Sequence, residues 1–463
     1  MRRRWLAGIF AVSAIFAVLV AVFSSDSVHR LWGTMAACGY ALAFVASLSS
    51  PGGTTPRTPR GMADGKAIVS AMQSSPGGTT PRTPRGMADG KAIASAMQWW
   101  QSRATDVALG LSFCGGLLAP LTWMAAKGIE QPEVWVVARS GATLLHHGTP
   151  YAPAAALAGT QNPNAYDPYL PVMALFGLPR AIFHSGLLTD PRVWFGVVFL
   201  AVFWLALRRG GARDPGRWAI LVAASPVIAF ELAVGGTDVP MVAFLCLGFG
   251  YLYSVGGRIT RTDTVLAGLA LGVAAAMKAT AWPAVVVAIV LLAVRDGRRA
   301  AGEFTLTALA VVAVCVGPFL TDPKTLVDNT IKFPLGLAHV TSAAASPLIG
   351  HIIASTWHSA GHTIVVGLLV AAAVGVALSL VFRPPRSVPR AVLLLAGAMT
   401  LMFVLAPSTR FGYFIYPATL AIWLLAVRSG RTATDDPATQ DPDEHLASPR
   451  TNRPTTPVTR PTA

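Results

Sequence analysis

MRRRWLAGIFAVSAIFAVLVAVF, residues 1–23, opens with arginines at 2, 3 and 4 and then carries no charge from Trp5 to Phe23. A helix rises 1.5 Å per residue, so about 20 apolar residues cross the roughly 30 Å hydrocarbon core of a bilayer. A basic start and an apolar core also describe a secretory signal. Here the core is long and no small-residue cleavage site follows it, which predicts a retained first helix. The same pattern continues along the chain. Apolar runs fall at 5–23, 31–48, 105–126, 192–208, 217–235, 238–255, 264–278, 280–295, 304–320, 362–382, 389–405 and 411–427. Lys278 and Pro283 divide the stretch 264–295, which is too long for one crossing, at a hairpin turn.

Composition agrees. Of 463 residues, 53% are hydrophobic and 12% charged, against about 25% charged in soluble domains. Mean hydropathy is +0.55. The expected fold is an all-α polytopic membrane protein of about twelve crossings. A transmembrane barrel would show short alternating segments instead. The net charge of +15 does not point to nucleic acid, because the Lys and Arg lie in short loops between apolar runs and set topology. Cys38, Cys114, Cys246 and Cys315 all fall inside apolar runs, as small packing residues rather than a disulfide or metal framework.

Positive-inside counting places the N-terminus in the cytoplasm and puts 49–104, RRGGARDPGR (208–217), RITR (258–261), RDGRR (295–299) and RPPRSVPR (383–390) on the same side. Both termini are then inside. Two long loops, 127–191 and 321–361, fall outside. The organisation read from this is two N-terminal helices (1–48), a cytoplasmic loop (49–104), a membrane domain (105–428) and a disordered tail (429–463). Within the loop, residues 49–73 recur as 74–98 with Ala94 in place of Val69. The composition of this duplication is rich in Pro, Gly, Thr and Arg, which cannot build a core.

The 127–191 loop is too long for an idle connection. After Pro132, EVWVVARSGATLLHH (133–147) has the pattern of an amphipathic helix lying at the interface. Glu133 sits in its first turn, where the helix dipole alone favours a carboxylate. Glu130 reads as a solvated residue at the membrane edge. NPNAYDPYLP (162–171) and YLPVMALFGLPRAIF (169–183) follow, the latter as a second interfacial or re-entrant helix. ELAVGGTDVP (231–240) places Glu231 late in one helix and Asp238 at the start of the next. Asp238 has a plain role available as an N-cap, with Thr237 as the alternative. Glu231 is harder to dismiss, because an acid within a span is costly and faces a polar cavity. Lys278 in MKATAWP and Arg410 in APSTRFGYFIYP end on the same outer face. Snorkelling explains either cation alone. Both together with Glu133 and Asp238 suit a phosphate held by cations beside a general base.

At this point the chain resembles a known family. EVWVVARSGATLLHHGTPY (133–151), NPNAYDPYLP, LALGVAAAMKATAWP (269–283), ASPLIGHIIA (345–354) and LAPSTRFGYFIYP (405–417) are similar, in order, to motifs of the polyprenyl-phosphate-mannose-dependent mannosyltransferases of actinobacteria. These are GT-C membrane glycosyltransferases of family 87. The resemblance covers roughly 105–428, and Glu133 stands where the family usually has Asp. It implies a GT-C-like bundle with interfacial helices in the first large outside loop. The donor would be a hexose, mannose first, on a polyprenyl phosphate. The acceptor would be a lipid or glycan on the extracytoplasmic face, attacked with inversion and without a metal or other cofactor. Glu133 or Asp238 would be the catalytic carboxylate, and Lys278 and Arg410 would hold the donor phosphate. Arg139, His147, Tyr151, Tyr166, Asp167, Tyr169, Trp282 and Tyr413 would line the substrate site. A metal role for His146 and His147 is disfavoured, since adjacent rings diverge on a helix.

The competing reading is a twelve-helix secondary transporter. Carriers usually repeat their halves, and the two halves here do not correspond. A membrane scaffold would not need acids and cations gathered on one face.

Overall fold

The computed structural model describes residues 3–48, 103–253, 259–334, 337, 338, 340, 344–357 and 360–434. The 49–98 duplication and residues 435–463 lie outside the described residues.

Each of the twelve apolar runs folds as helix, and the protein is an all-α, multi-pass membrane protein. Among the described residues, eight helices are long and apolar enough to cross a bilayer, or nine if one bent pair counts as a single span. The twelve crossings expected from the sequence are therefore not all present as full-length spans. Asp238–Leu252 has only 15 residues, so it extends about 22 Å and stops short of a roughly 30 Å core. It is buried on nearly every side, which makes it the central post of the bundle rather than an ordinary crossing. The last helix, Ile415–Thr434, runs six residues into the stretch expected to be a disordered tail.

Breaks in the helices follow from prolines and are sealed by side chains. Pro215–Ala224 and Pro226–Val234 meet at 59°, where Pro226 lacks the N–H that would continue the ladder. Backbone carbonyls cannot be left bare at membrane depth. The Val222 carbonyl accepts from the Ser225 N–H and hydroxyl, and Tyr40 donates to the Ala224 carbonyl at 2.6 Å. Arg261–Met277 ends at Lys278, whose backbone is extended. A 3-10 turn (Ala279–Ala281) and Pro283 then start Trp282–Arg295. The helix thus breaks at Lys278, where the sequence predicted a turn. The buried Met277 carbonyl at the end of the helix accepts from the Leu170 N–H at 2.9 Å, which docks the Tyr-Pro-rich loop directly onto the turn. The Ser27–Leu48 helix packs on the third span at Gly39 and Gly115, so closely that a Cβ on either would strike the other's backbone. Small residues permit such contact between membrane helices.

Candidate active site

Glu133 lies in the first turn of Pro132–His147, with Pro132 at the first helical position, where its missing N–H costs nothing. Its Oε1 accepts from Arg410 Nη1. Its Oε2 is buried with no hydrogen-bond partner. The backbone of Arg410 is held by a parallel bridge between Ala345 and Thr409, with the Phe411 N–H donating to Ser346 Oγ at 3.1 Å. The ASPLIGHIIA segment thus serves as a brace for the arginine.

Asp238 is the first residue of its helix, after Thr237. The structure corrects the N-cap expectation for both. No side chain caps this helix, and the Asp238 carboxylate is committed elsewhere. Its Oδ1 accepts from Lys278 Nζ and from the Tyr416 hydroxyl, each at 2.5 Å. Tyr416 also shares a hydrogen bond of 2.9 Å with Thr280. The Lys278 ammonium stands 5.2 Å from the Tyr413 ring centroid and 5.4 Å from that of Tyr169, where a ring face attracts a cation. Tyr169 accepts from Thr237 Oγ1 at 3.2 Å. Burial, followed by the nearby Glu133 carboxylate, pushes the Tyr169 phenol well above its ordinary value, so it stays protonated.

The two ion pairs form one centre: Glu133 lies within electrostatic range of Lys278 and Tyr169, and Asp238 within range of Tyr169. Glu231 joins it. Its carboxylate abuts Gly412, where a Cβ would lie 2.8 Å from the Glu231 carboxyl carbon. Gly412→Ala would push only the far end of the Glu231 side chain and is expected to destabilise the protein by about 1 kcal/mol, the low end for overpacking, read as a lowered unfolding midpoint in detergent. An unchanged midpoint would contradict this packing.

Among the other residues singled out from the sequence, only Tyr169 and Tyr413 join this centre. Arg139, Tyr151, Tyr166 and Asp167 tie the outer loop together. Arg139 donates to the Asn164 and Ala165 carbonyls at 2.6 and 3.0 Å. Tyr151 donates to the Tyr169 carbonyl at 3.0 Å, and Tyr166 stacks on Phe333 at 4.8 Å between centroids. Asp167 accepts from the Ser140 hydroxyl at 2.5 Å and from the Tyr169 N–H at 3.0 Å, and its own N–H donates to Asn329 at 2.8 Å. His147 is exposed at the end of its helix. Trp282 is 47% exposed, with its indole N–H donating to the Ala275 carbonyl at 3.1 Å.

Burial, only partly offset by the Ser140 hydrogen bond, raises Asp167 to about 6. A carboxyl raised on folding binds its proton more tightly in the native state. Below its ordinary value of about 4 it is protonated in both states and costs nothing, and the cost grows as pH rises from there to about 6. Asp167→Asn, which keeps an acceptor for the Tyr169 N–H, is expected to remove a stability loss on the order of 2–3 kcal/mol across that window. Unfolding midpoints at pH 4.5 and 7 should differ less in the variant than in the wild type. Equal pH dependence in both would refute it.

Glu130 is not the solvated residue expected. Arg180 donates to it at 3.1 Å and Arg192 lies 3.6 Å away. These arginines are 50 and 62 positions along the chain, so local reading could not find them. Tyr416, Thr280, Arg180, Asp190 and Arg192 were also missed. The signal for the last two was present as Asp-Pro-Arg at 190–192, a capped helix start with an arginine entering an apolar run. His29 was missed as well. It pairs with the Gln131 side chain at 2.5 Å and lies within electrostatic range of Glu133 and Arg410.

The profile of glycosyltransferase family 87 matches residues 168–407. The chain belongs to glycosyltransferase family 87. The matched range contains Asp238 and Lys278 and leaves Glu133 and Arg410 outside. No curated protein matches the chain. Two solved structures of ArnT from Cupriavidus metallidurans are similar, one in the apo state and one bound to undecaprenyl phosphate. Both share 16% identity, with TM-scores of 0.41 and 0.43 and coverage of 69% and 70% of this chain. This chain spans 59% of the length of each.

Proposed function

We propose that this family member is an inverting membrane hexosyltransferase that moves mannose from a polyprenyl-phosphate sugar to a lipid or glycan acceptor on the extracytoplasmic face. The observation that carries the reading is the state of Glu133. One carboxylate oxygen is held by Arg410, while the other is buried and unpartnered, beside a second cation, Lys278. A buried acceptor with no donor invites a hydroxyl.

In the proposed step, Glu133 takes the proton from the acceptor hydroxyl as its oxygen attacks the anomeric carbon from the face opposite the phosphate. The bond between that carbon and the phosphate oxygen breaks, and polyprenyl phosphate leaves with the electron pair. An ammonium has three donors and a guanidinium five. Pairing with Asp238 and Glu133 leaves others on Lys278 and Arg410 to neutralise the leaving phosphate. Asp238 and Tyr416 fix the position of Lys278. The step calls on no metal, since these cations supply the positive charge. Both termini lie in the cytoplasm in this scheme.

The test is transfer from radiolabelled polyprenyl-phosphate-mannose by the purified protein with several lipid and glycan acceptors. Labelled product formed by the wild type is expected. No product with any acceptor would sink the transferase reading and favour a carrier. A cysteine introduced at Gln161, exposed in the same loop, should react with an impermeant reagent from outside the cell. Reaction only from the cytoplasmic side would place the site on the wrong face.

A further inference from the structure

Arg192 is fully buried in the second position of Pro191–Gly210 and uses four of its five donors in hydrogen bonds. Nε and Nη2 donate to the two oxygens of Asp190 at 3.0 and 2.9 Å. Nη1 donates to the Ile129 carbonyl at 2.9 Å and to the Ala233 carbonyl at 2.7 Å. Nη2 also lies 3.6 Å from Glu130. Ile129 stands four residues before Glu133, and Ala233 five residues before Asp238. One nitrogen thus joins the two segments that deliver the two carboxylates. A second link runs beside it, from the Gln131 N–H to the Val234 carbonyl at 2.9 Å.

We propose that Arg192 is a positioning residue that sets the separation of Glu133 and Asp238, and with it that of the Arg410 and Lys278 partners. A fully buried guanidinium with four of its five donors hydrogen-bonded inside the protein, and the nitrogen that carries the fifth beside Glu130, is not available to substrate. Its effect must therefore reach the chemistry through the backbone. The planar fork matters, because a lysine cannot grip a carboxylate bidentately and reach two carbonyls at once. The proposal rests on the transferase reading for its kinetic arm only.

The structure supplies a direct rescue. A Cβ at Gly235 would lie 3.3 Å from Gln131 Cβ, close to the separation a disulfide needs. Gly235 has φ of −168°, outside the left-handed region that demands glycine.

In purified full-length protein, Arg192→Gln is expected to lower kcat about 10- to 100-fold, the scale set by small misplacements of catalytic groups, with KM for the donor within about threefold. Arg192→Lys should fall between wild type and Arg192→Gln. Adding Gln131→Cys and Gly235→Cys to Arg192→Gln should restore kcat at least about fivefold when oxidised. Dithiothreitol should abolish the gain. A raised KM with kcat intact, or a formed disulfide without rescue, would overturn the proposal. Should the wild type transfer no sugar at all, the rate of 131–235 disulfide formation still decides the structural arm. It should be slower in Arg192→Gln than with Arg192 present, and equal rates would overturn the proposal. Arg192→Lys provides the same comparison if Arg192→Gln does not fold.

Discussion

Glu133→Gln is expected to lower kcat by about 10²–10⁴-fold, the range attributed to a positioned general base, with KM for the donor nearly unchanged. Glutamine keeps the size of the side chain and an oxygen for Arg410, so the pair loses charge but not shape. It cannot take a proton from the acceptor. Loss of kcat without loss of binding separates a group needed in the transition state from one that merely holds substrate. The measurement is initial rate against donor concentration, with size-exclusion behaviour as the check on folding. Asp238→Asn is the companion. Lys278 and Tyr416 both donate to Asp238 Oδ1, and asparagine preserves that acceptor but releases Lys278 from its ion pair. Its main effect should fall on donor KM. If Glu133→Gln retained activity and Asp238→Asn abolished it, the base would be Asp238.

Lys278→Met is expected to be the most destabilising single change at the site. The Lys278 and Asp238 side chains are each 12% exposed. Removing one partner of a buried pair strands the other charge and costs about 3–5 kcal/mol. Some residual exposure places this case near the lower figure. The double change Lys278→Met with Asp238→Leu removes both charges and should recover most of the lost stability while staying inactive. Thermal unfolding in detergent reads both. A single variant as stable as wild type would show that the pair does not carry the structural weight assigned to it, and a double variant no better than the single would show that the stranded carboxylate is not the cause.

The apolar segments were legible because each is a local property. Twenty consecutive apolar residues announce a helix wherever they fall, and the break at Lys278 and Pro283 announces itself through charge and a missing donor, whereas the bend at Pro226 inside the 217–235 run was not read. The first-turn position of Glu133 was legible for the same reason. The plain N-cap role for Asp238 failed instructively. An aspartate at a helix start is usually a cap, but a lysine forty positions on offered a stronger partner in a place where an unpaired ammonium is expensive. The family resemblance implied Asp167, Arg139 and Tyr151 as substrate residues. In the structure they fasten the outer loop together beside the Lys278 turn.

Sequence alone thus determined the membrane class, the helix positions and the candidate acids and cations, because hydropathy, charge and proline act over a turn or two of helix. Only the tertiary structure decided the partners. Glu133 meets Arg410 across 277 positions, and Arg192 joins the carbonyls of Ile129 and Ala233 from a third helix. Such pairings follow from burial. In a low-dielectric interior each charge must find an opposite one, and which one it finds depends on how the helices pack.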